Sequence, residues 1–128
     1  LAAPLLHPHV ELSEAMRRVA GTFYPTFRAS PIGRTMSLLM GDQPRRVLER
    51  LADAYNISVA WNSHACEARS ETELIWRCRV EPTDFYEHIF TGIVHGTLES
   101  HEAPSPRVEL MERRRDGDGQ RMVFAIRW

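Results

Sequence analysis

Cys66 and Cys78 are the residues with the most distinctive chemistry in the sequence, and eleven positions separate them. In an oxidising compartment a bond between them would close a short loop, worth about 3 kcal/mol in the chain-entropy picture. In a reducing one both stay thiols, and Cys78 serves as a small core residue. Spacing leaves both states open. His64 stands two positions before Cys66, so His64, Cys66 and Cys78 form a conceivable zinc set. The close Cys-x-x-Cys pairs of structural zinc sites are missing, and Glu67 or Glu71 would have to complete it. No metal or cofactor is therefore expected. His88 and His95, with Asp84 and Thr91, fall on one helical face opposite Phe85, Ile89 and Ile93, which reads as a solvated polar face. There is no Gly-x-Ser-x-Gly elbow and no glycine-rich phosphate loop. Glu49, Asp53, Asp84 and Glu87 read as solvated helix charges, so no catalytic residue is assigned and no enzyme is expected. Arg113-Arg114-Arg115 beside Asp116 and Asp118 reads as a hairpin rim able to meet an acidic partner or a phosphate.

The elements that must position these residues follow from periodicity. Leu12, Ala15, Met16 and Val19 repeat at helical spacing. Phe23, Tyr24, Pro25 and Phe27 form an irregular aromatic stretch, and residues 1–34 read as an N-terminal arm with one helix. The remainder, 35–128, reads as one α+β domain in the order β-α-β-β-α-β-β, a small mixed sheet packed by two helices. Its first strand is Met36–Met40. A helix follows, capped by Asp42, with Pro44 in its first turn and Val47, Leu48, Leu51, Ala52 and Tyr55 on its buried face. Asn56 closes that helix. Ile57–Trp61 alternates as a strand, and Asn62–Thr72 is a polar loop. Glu73–Val80 is the clearest strand, with Leu74, Trp76, Cys78 and Val80 on one side. The second helix begins at Pro82–Thr83, buries Phe85, Ile89, Phe90, Ile93 and Val94, and ends at Gly96. Thr97–His101, Val108–Glu112 and Met122–Trp128 are strands. Asp116-Gly117-Asp118-Gly119 is a hairpin turn, and the last strand offers a sheet edge to another chain.

Composition sets the outer limits. The chain has 128 residues, 43% apolar and 26% charged, a balance that excludes wholesale disorder. Sixteen arginines and no lysine face seventeen carboxylates, for a net charge of -1. A general nucleic-acid binder carries a basic excess, so no nucleic-acid partner is expected. No run approaches the eighteen apolar residues of a membrane span. The chain starts at Leu1, which leaves room for a leader or a lipidated cysteine upstream.

The segment from Met36 to Trp61, with its Leu-Glu-Arg-Leu-Ala core followed by Asn56 and an apolar run, resembles the short N-terminal domain of secretins and TonB-dependent transducers. Leu74–Val80, the helix from Pro82 with its Thr-Gly-Ile turn, and the terminal strands extend the resemblance over residues 35–128. The nearest likeness is to stand-alone members, such as the toxin-coregulated pilus biosynthesis protein Q and the small outer-membrane lipoproteins of type IV secretion and conjugation. The resemblance implies a periplasmic, non-enzymatic scaffold of a pilus, conjugation or secretion machine. Its partners would be a secretin or core subunit or further copies in a ring, with membrane contact through an N-terminal lipid anchor at most. It also implies a Cys66–Cys78 disulfide. The contact residues expected on the predicted faces are Trp61, Arg77, Arg79, Arg113, Arg114 and Trp128, with Phe23, Tyr24 and Phe27 from the arm. The alternative function is a signalling or ligand-sensing module, like the plug-side domain of a transducer.

Overall fold

The computed structural model describes residues 12–31, 34–35, 43–58, 61–83, 85–101, 103 and 105–128. The expected strand Met36–Met40 and the Asp42 cap lie outside the described residues. Helix α1 spans Leu12–Ala20, α2 Phe23–Ala29 and α3 Pro44–Ser58. Strands β1 (Ser63–Ser70) and β2 (Glu73–Val80) follow. Helix α4 (Tyr86–Ser100) leads to β3 (Arg107–Asp116) and β4 (Gly119–Arg127). The fold is α+β, as expected. Its sheet is antiparallel at each described pairing, not mixed, with the order β1-β2-β4-β3. β4 is therefore an interior strand, and the edges fall to β1 and β3.

Alternation in β2 decides which side of the sheet is covered. Leu74, Trp76, Cys78 and Val80 are buried, with Met122, Phe124 and Ile126 of β4 beside them. α4 lays Phe90, Val94 and Leu98, one turn apart, onto this face. Phe90 meets Phe124 at 4.3 Å between ring centroids and Trp76 edge-on at 4.9 Å, a preferred pair of aromatic geometries. α3 adds Leu48 and Ala52 to the same core.

Three expected boundaries move, each for a physical reason. α3 runs on through Ile57 and Ser58 instead of yielding to a strand. Ile57 is 84% exposed, so its apolar side chain marks no buried strand face. The polar stretch after Asn62 is the edge strand β1, in which only His64 and Cys66 turn toward the core; an edge strand with one wet face needs no apolar run. α4 continues through Thr97 and Leu98 to Ser100, so the expected strand Thr97–His101 is helix. The turn at Gly117-Asp118 forms as expected, with Gly117 at φ +62° and Asp116 paired to Gly119. A register shift between Leu110 and Glu112 leaves Met111 without a partner and 57% exposed.

Gly96 does not end α4, because its role is to admit α1. A Cβ at Gly92 would lie 2.3 Å from the Arg17 carbonyl oxygen, and one at Gly96 would lie 2.2 Å from that of Gly21. Ala15 and Ala20 of α1 are buried, so small residues line both sides of the crossing. The polar side of α4 is thus covered in part rather than solvated, and His88 accepts a hydrogen bond from Arg17 Nε at 3.0 Å. Gly96→Ala is expected to cost about 1–3 kcal/mol through overpacking against backbone. Urea unfolding checks this, and a change under 0.5 kcal/mol would contradict the packing.

Candidate functional site

One buried polar side chain lies among the rings of the core, at the junction of α3, β1 and β2. His64 is 6% exposed. Alternation along β1 turns it inward, and Tyr55, one turn from Leu51 on α3, covers it. Their rings stack at 5.0 Å and 24°, while Trp76 meets His64 edge-on at 5.8 Å and Tyr55 at 6.3 Å. Trp76 Nε1 donates to His64 Nδ1 at 3.0 Å. An indole nitrogen only donates, so Nδ1 must be unprotonated and Nε2 carries the hydrogen of the neutral ring. Nε2 is buried and has no protein partner.

Asn56 fixes the same residue from outside. Its side-chain Nδ2 donates to the His64 carbonyl at 2.9 Å, and its Oδ1 accepts from the His64 N–H at 2.8 Å. The amide completes the edge strand where a neighbouring strand would otherwise pair. Asn56 is therefore a clamp and not the left-handed helix end expected from its type.

Burial governs titration here. It lowers the His64 pKa to about 4 and pushes the Tyr55 hydroxyl up to about 12. It also raises both thiols to about 12, with the Glu49 and Asp53 carboxylates adding to the effect at Cys66. The expected disulfide is not formed, and both cysteines are free. Cys66 sits opposite Trp76, and Cys78 opposite His64. The two are diagonal neighbours across β1 and β2, a relation that puts residues about 7–8 Å apart and their Cβ atoms somewhat closer, still beyond the roughly 4 Å between Cβ atoms in a disulfide. No group of three His, Cys, Asp or Glu side chains placed to hold a metal occurs among the described residues.

The expected contact residues are scattered over different surfaces. Trp61 is 64% exposed and Phe23 is exposed. The side chains of Tyr24 and Phe27 lie outside the described residues. Trp128 packs partly against the core, and its N–H bonds to the Thr72 carbonyl at 3.0 Å. Arg113 turns to the helix side and pairs with Glu87. Arg77, Arg79 and Arg114 do share one face, the outer side of the sheet, together with Arg121. Sequence reading missed Arg121, yet the two-residue turn at 117–118 already sets it opposite Arg114.

This arrangement defines an α+β domain with the fold of solved H-NOX domains. An oxygen-binding H-NOX domain related to soluble guanylate cyclases, in its oxygen complex, is 14% identical over 95% of this chain and 64% of that one, with a TM-score of 0.72. A structure concerned with heme redox potential and protein-induced porphyrin distortion is 14% identical over 96% and 68%, with a TM-score of 0.73. An H-NOX variant from T. Tengcongensis is 14% identical over 91% and 63%, at 0.67. The chain thus spans about two thirds of the length of these proteins. It belongs to the family described as Protein of unknown function (DUF2378), whose profile matches residues 1–128. None of the curated proteins matches it.

These findings overturn the expected kinship with secretin and TonB short domains, and with it the scaffold role in a pilus, conjugation or secretion machine. The shared feature was a degenerate apolar pattern, and two of its landmarks differ here: Ile57 and Ser58 of the expected strand belong to α3, and the Thr-Gly-Ile turn at Gly92 lies inside α4. The expectations of a periplasmic location and of secretin partners rested on the same resemblance. No helix among the described residues is long and apolar enough to cross a membrane.

The fold likeness raises heme as a cofactor, and the described residues do not fit it. Heme takes an axial nitrogen, thiolate or phenolate and an apolar slot for a flat macrocycle. His64 has one nitrogen committed to Trp76 and a hydrogen on the other. His88 accepts from Arg17, His95 pairs with Glu99 at 2.7 Å, and His101 is buried and engaged in the turn closing α4. Both cysteines are neutral thiols. The core beneath the sheet is filled by Tyr55, His64, Trp76, Phe90 and Phe124. The groove of about 580 Å³ between α1 and α4 is walled by Glu14, Arg17, Arg18 and Glu99.

Two outcomes follow. Hemin mixed with the full chain is expected to give no ligated-heme absorbance band that disappears in His64→Ala. Such a band, with one heme per chain, would contradict the assignment of His64. The second concerns acid. His64 has a folded pKa near 4 against 6.5 unfolded, so its unfolded form takes the proton first. The associated stability is fully present above pH 6.5 and is lost as pH falls toward 4, by about 3 kcal/mol. Urea unfolding at pH 7 and pH 4.5 should show this loss reduced in His64→Gln, and equal losses in both proteins would contradict it.

Proposed function

We propose that this chain is a ligand-sensing module of a signalling protein, built on the H-NOX fold and working without heme. The fold likeness over 95% of the chain to an oxygen-binding domain related to soluble guanylate cyclases supports this reading best. The α3–β1–β2 junction is the part suited to the task. It joins a helix to a sheet edge through one amide clamp and a cluster of three rings. A ligand that contacts α3 differently in two positions shifts the population between them. The buried Nε2–H of His64 gives such a ligand an unsatisfied donor to meet, since a buried polar group gains most from a new partner.

The test is native mass spectrometry of the full gene product isolated from its own cells, followed by the denatured mass. A noncovalent small molecule lost on denaturation, at one per chain and without heme absorbance, is the expected result. Identical native and denatured masses across growth conditions would overturn the reading.

A further inference from the structure

The solvent face of the sheet carries a second, separate chemistry. The register sets Arg79 opposite Arg121, and Arg121 opposite Arg114. Three arginines therefore stand in one row across β2, β4 and β3. Like charges directly opposite one another destabilise a sheet, so the row calls for anions. Asp116 supplies one, 3.0 Å from Arg79 Nε and 2.7 Å from Arg121 Nε. Asp118 accepts from Arg79 at 3.0 Å. These carboxylates belong to the hairpin turn, so neutralisation is concentrated at that end. Arg114, on β3, is 63% exposed and has Glu112 as its nearest carboxylate, at 4.0 Å.

The next row sets Arg77 opposite Val123, and Val123 opposite Glu112. Between the rows lies a groove of about 360 Å³. Arg77, Arg114 and Arg121 border it, with the small Ser63 and Ala65 opening its β1 side, and Glu112 is the one carboxylate in its lining. The partners of Arg77 and Arg121, Glu67 and Asp116, lie outside that lining. Each guanidinium has five N–H donors and spends few of them on these exposed pairs.

We propose that this groove binds a phosphate dianion, either free or carried by a small phosphorylated metabolite, through Arg77, Arg114 and Arg121. Planar guanidinium forks match phosphate oxygens two at a time. Three guanidinium groups and one carboxylate line the groove, and the carboxylates that pair with Arg77 and Arg121 approach from outside it, so the N–H donors left over from these exposed pairs are what an anion would meet. The chain's net charge of -1, with a volume near the low end for ligand sites, fits one small anion and not a nucleic-acid strand. The proposal stands on the register of the sheet and does not depend on the sensing role.

The test is a series of amide NMR titrations of the full chain at low salt with inorganic phosphate, with adenosine monophosphate and with acetate. Both phosphates are expected to shift Ser63, Arg77, Arg114, Arg121 and Val123 saturably, and acetate is not. Tighter binding of the nucleotide assigns the metabolite, and equal binding assigns the free anion. Arg114→Gln and Arg121→Gln, with spectra otherwise unchanged, should each weaken binding by about tenfold. No shift in the millimolar range, equal shifts with acetate, or unaltered binding in both variants would overturn the proposal.

Discussion

The hydrogen bond from Trp76 to His64 is the constraint on which the rest of the interior depends. It joins the edge strand to its neighbour through side chains, beneath the backbone ladder, and it does so where water is excluded. A buried imidazole without such a donor would either titrate or leave the core. With it, the ring stays neutral in one tautomer and becomes a flat surface on which Tyr55 stacks. The same indole offers its edge to Phe90, which meets Phe124, so a continuous set of ring contacts runs from α3 to β4. Asn56 closes the arrangement from the outside by bonding the backbone of the residue that Trp76 bonds through its side chain.

The two faces of the sheet then divide the chemistry of the molecule. The covered face is nearly all apolar and is closed by two helices, one of which is itself covered by α1 through glycine contacts. The open face is a field of arginines and carboxylates arranged by register. Alternation in β2 and β4 creates both: Trp76 and Phe124 point one way, while Arg77, Arg79 and Arg121 point the other. Burial in that covered face holds Cys66, Cys78 and His64 neutral.

Much of this division is legible in the sequence, and the reasons for the exceptions are specific. Glu73–Val80 reads correctly because a central strand with one covered face must alternate. The 117–118 turn reads correctly because Gly117 alone accepts its left-handed backbone, and it carries the register of Arg114 and Arg121 with it. The edge strand Ser63–Ser70 escapes notice because only two of its residues point inward. Gly96 misleads because a glycine that ends a helix and one that admits a neighbouring helix look alike until the neighbour is known. His64 is visible as a residue but not as a partner of Trp76, since their proximity follows from the β1–β2 register and β1 lacks the apolar alternation that marks a strand. The resemblance to secretin short domains failed on the same ground, because helix-then-strand apolar patterns recur in unrelated α+β folds.

Side-chain nitrogen NMR of His64 in the full chain at pH 7 addresses the central claim most directly. A neutral ring with an unprotonated Nδ1 and a protonated Nε2 is predicted, coupled to the Trp76 indole. A proton on Nδ1, or a charged imidazolium at that pH, would contradict the Trp76–His64 hydrogen bond on which this interior is built.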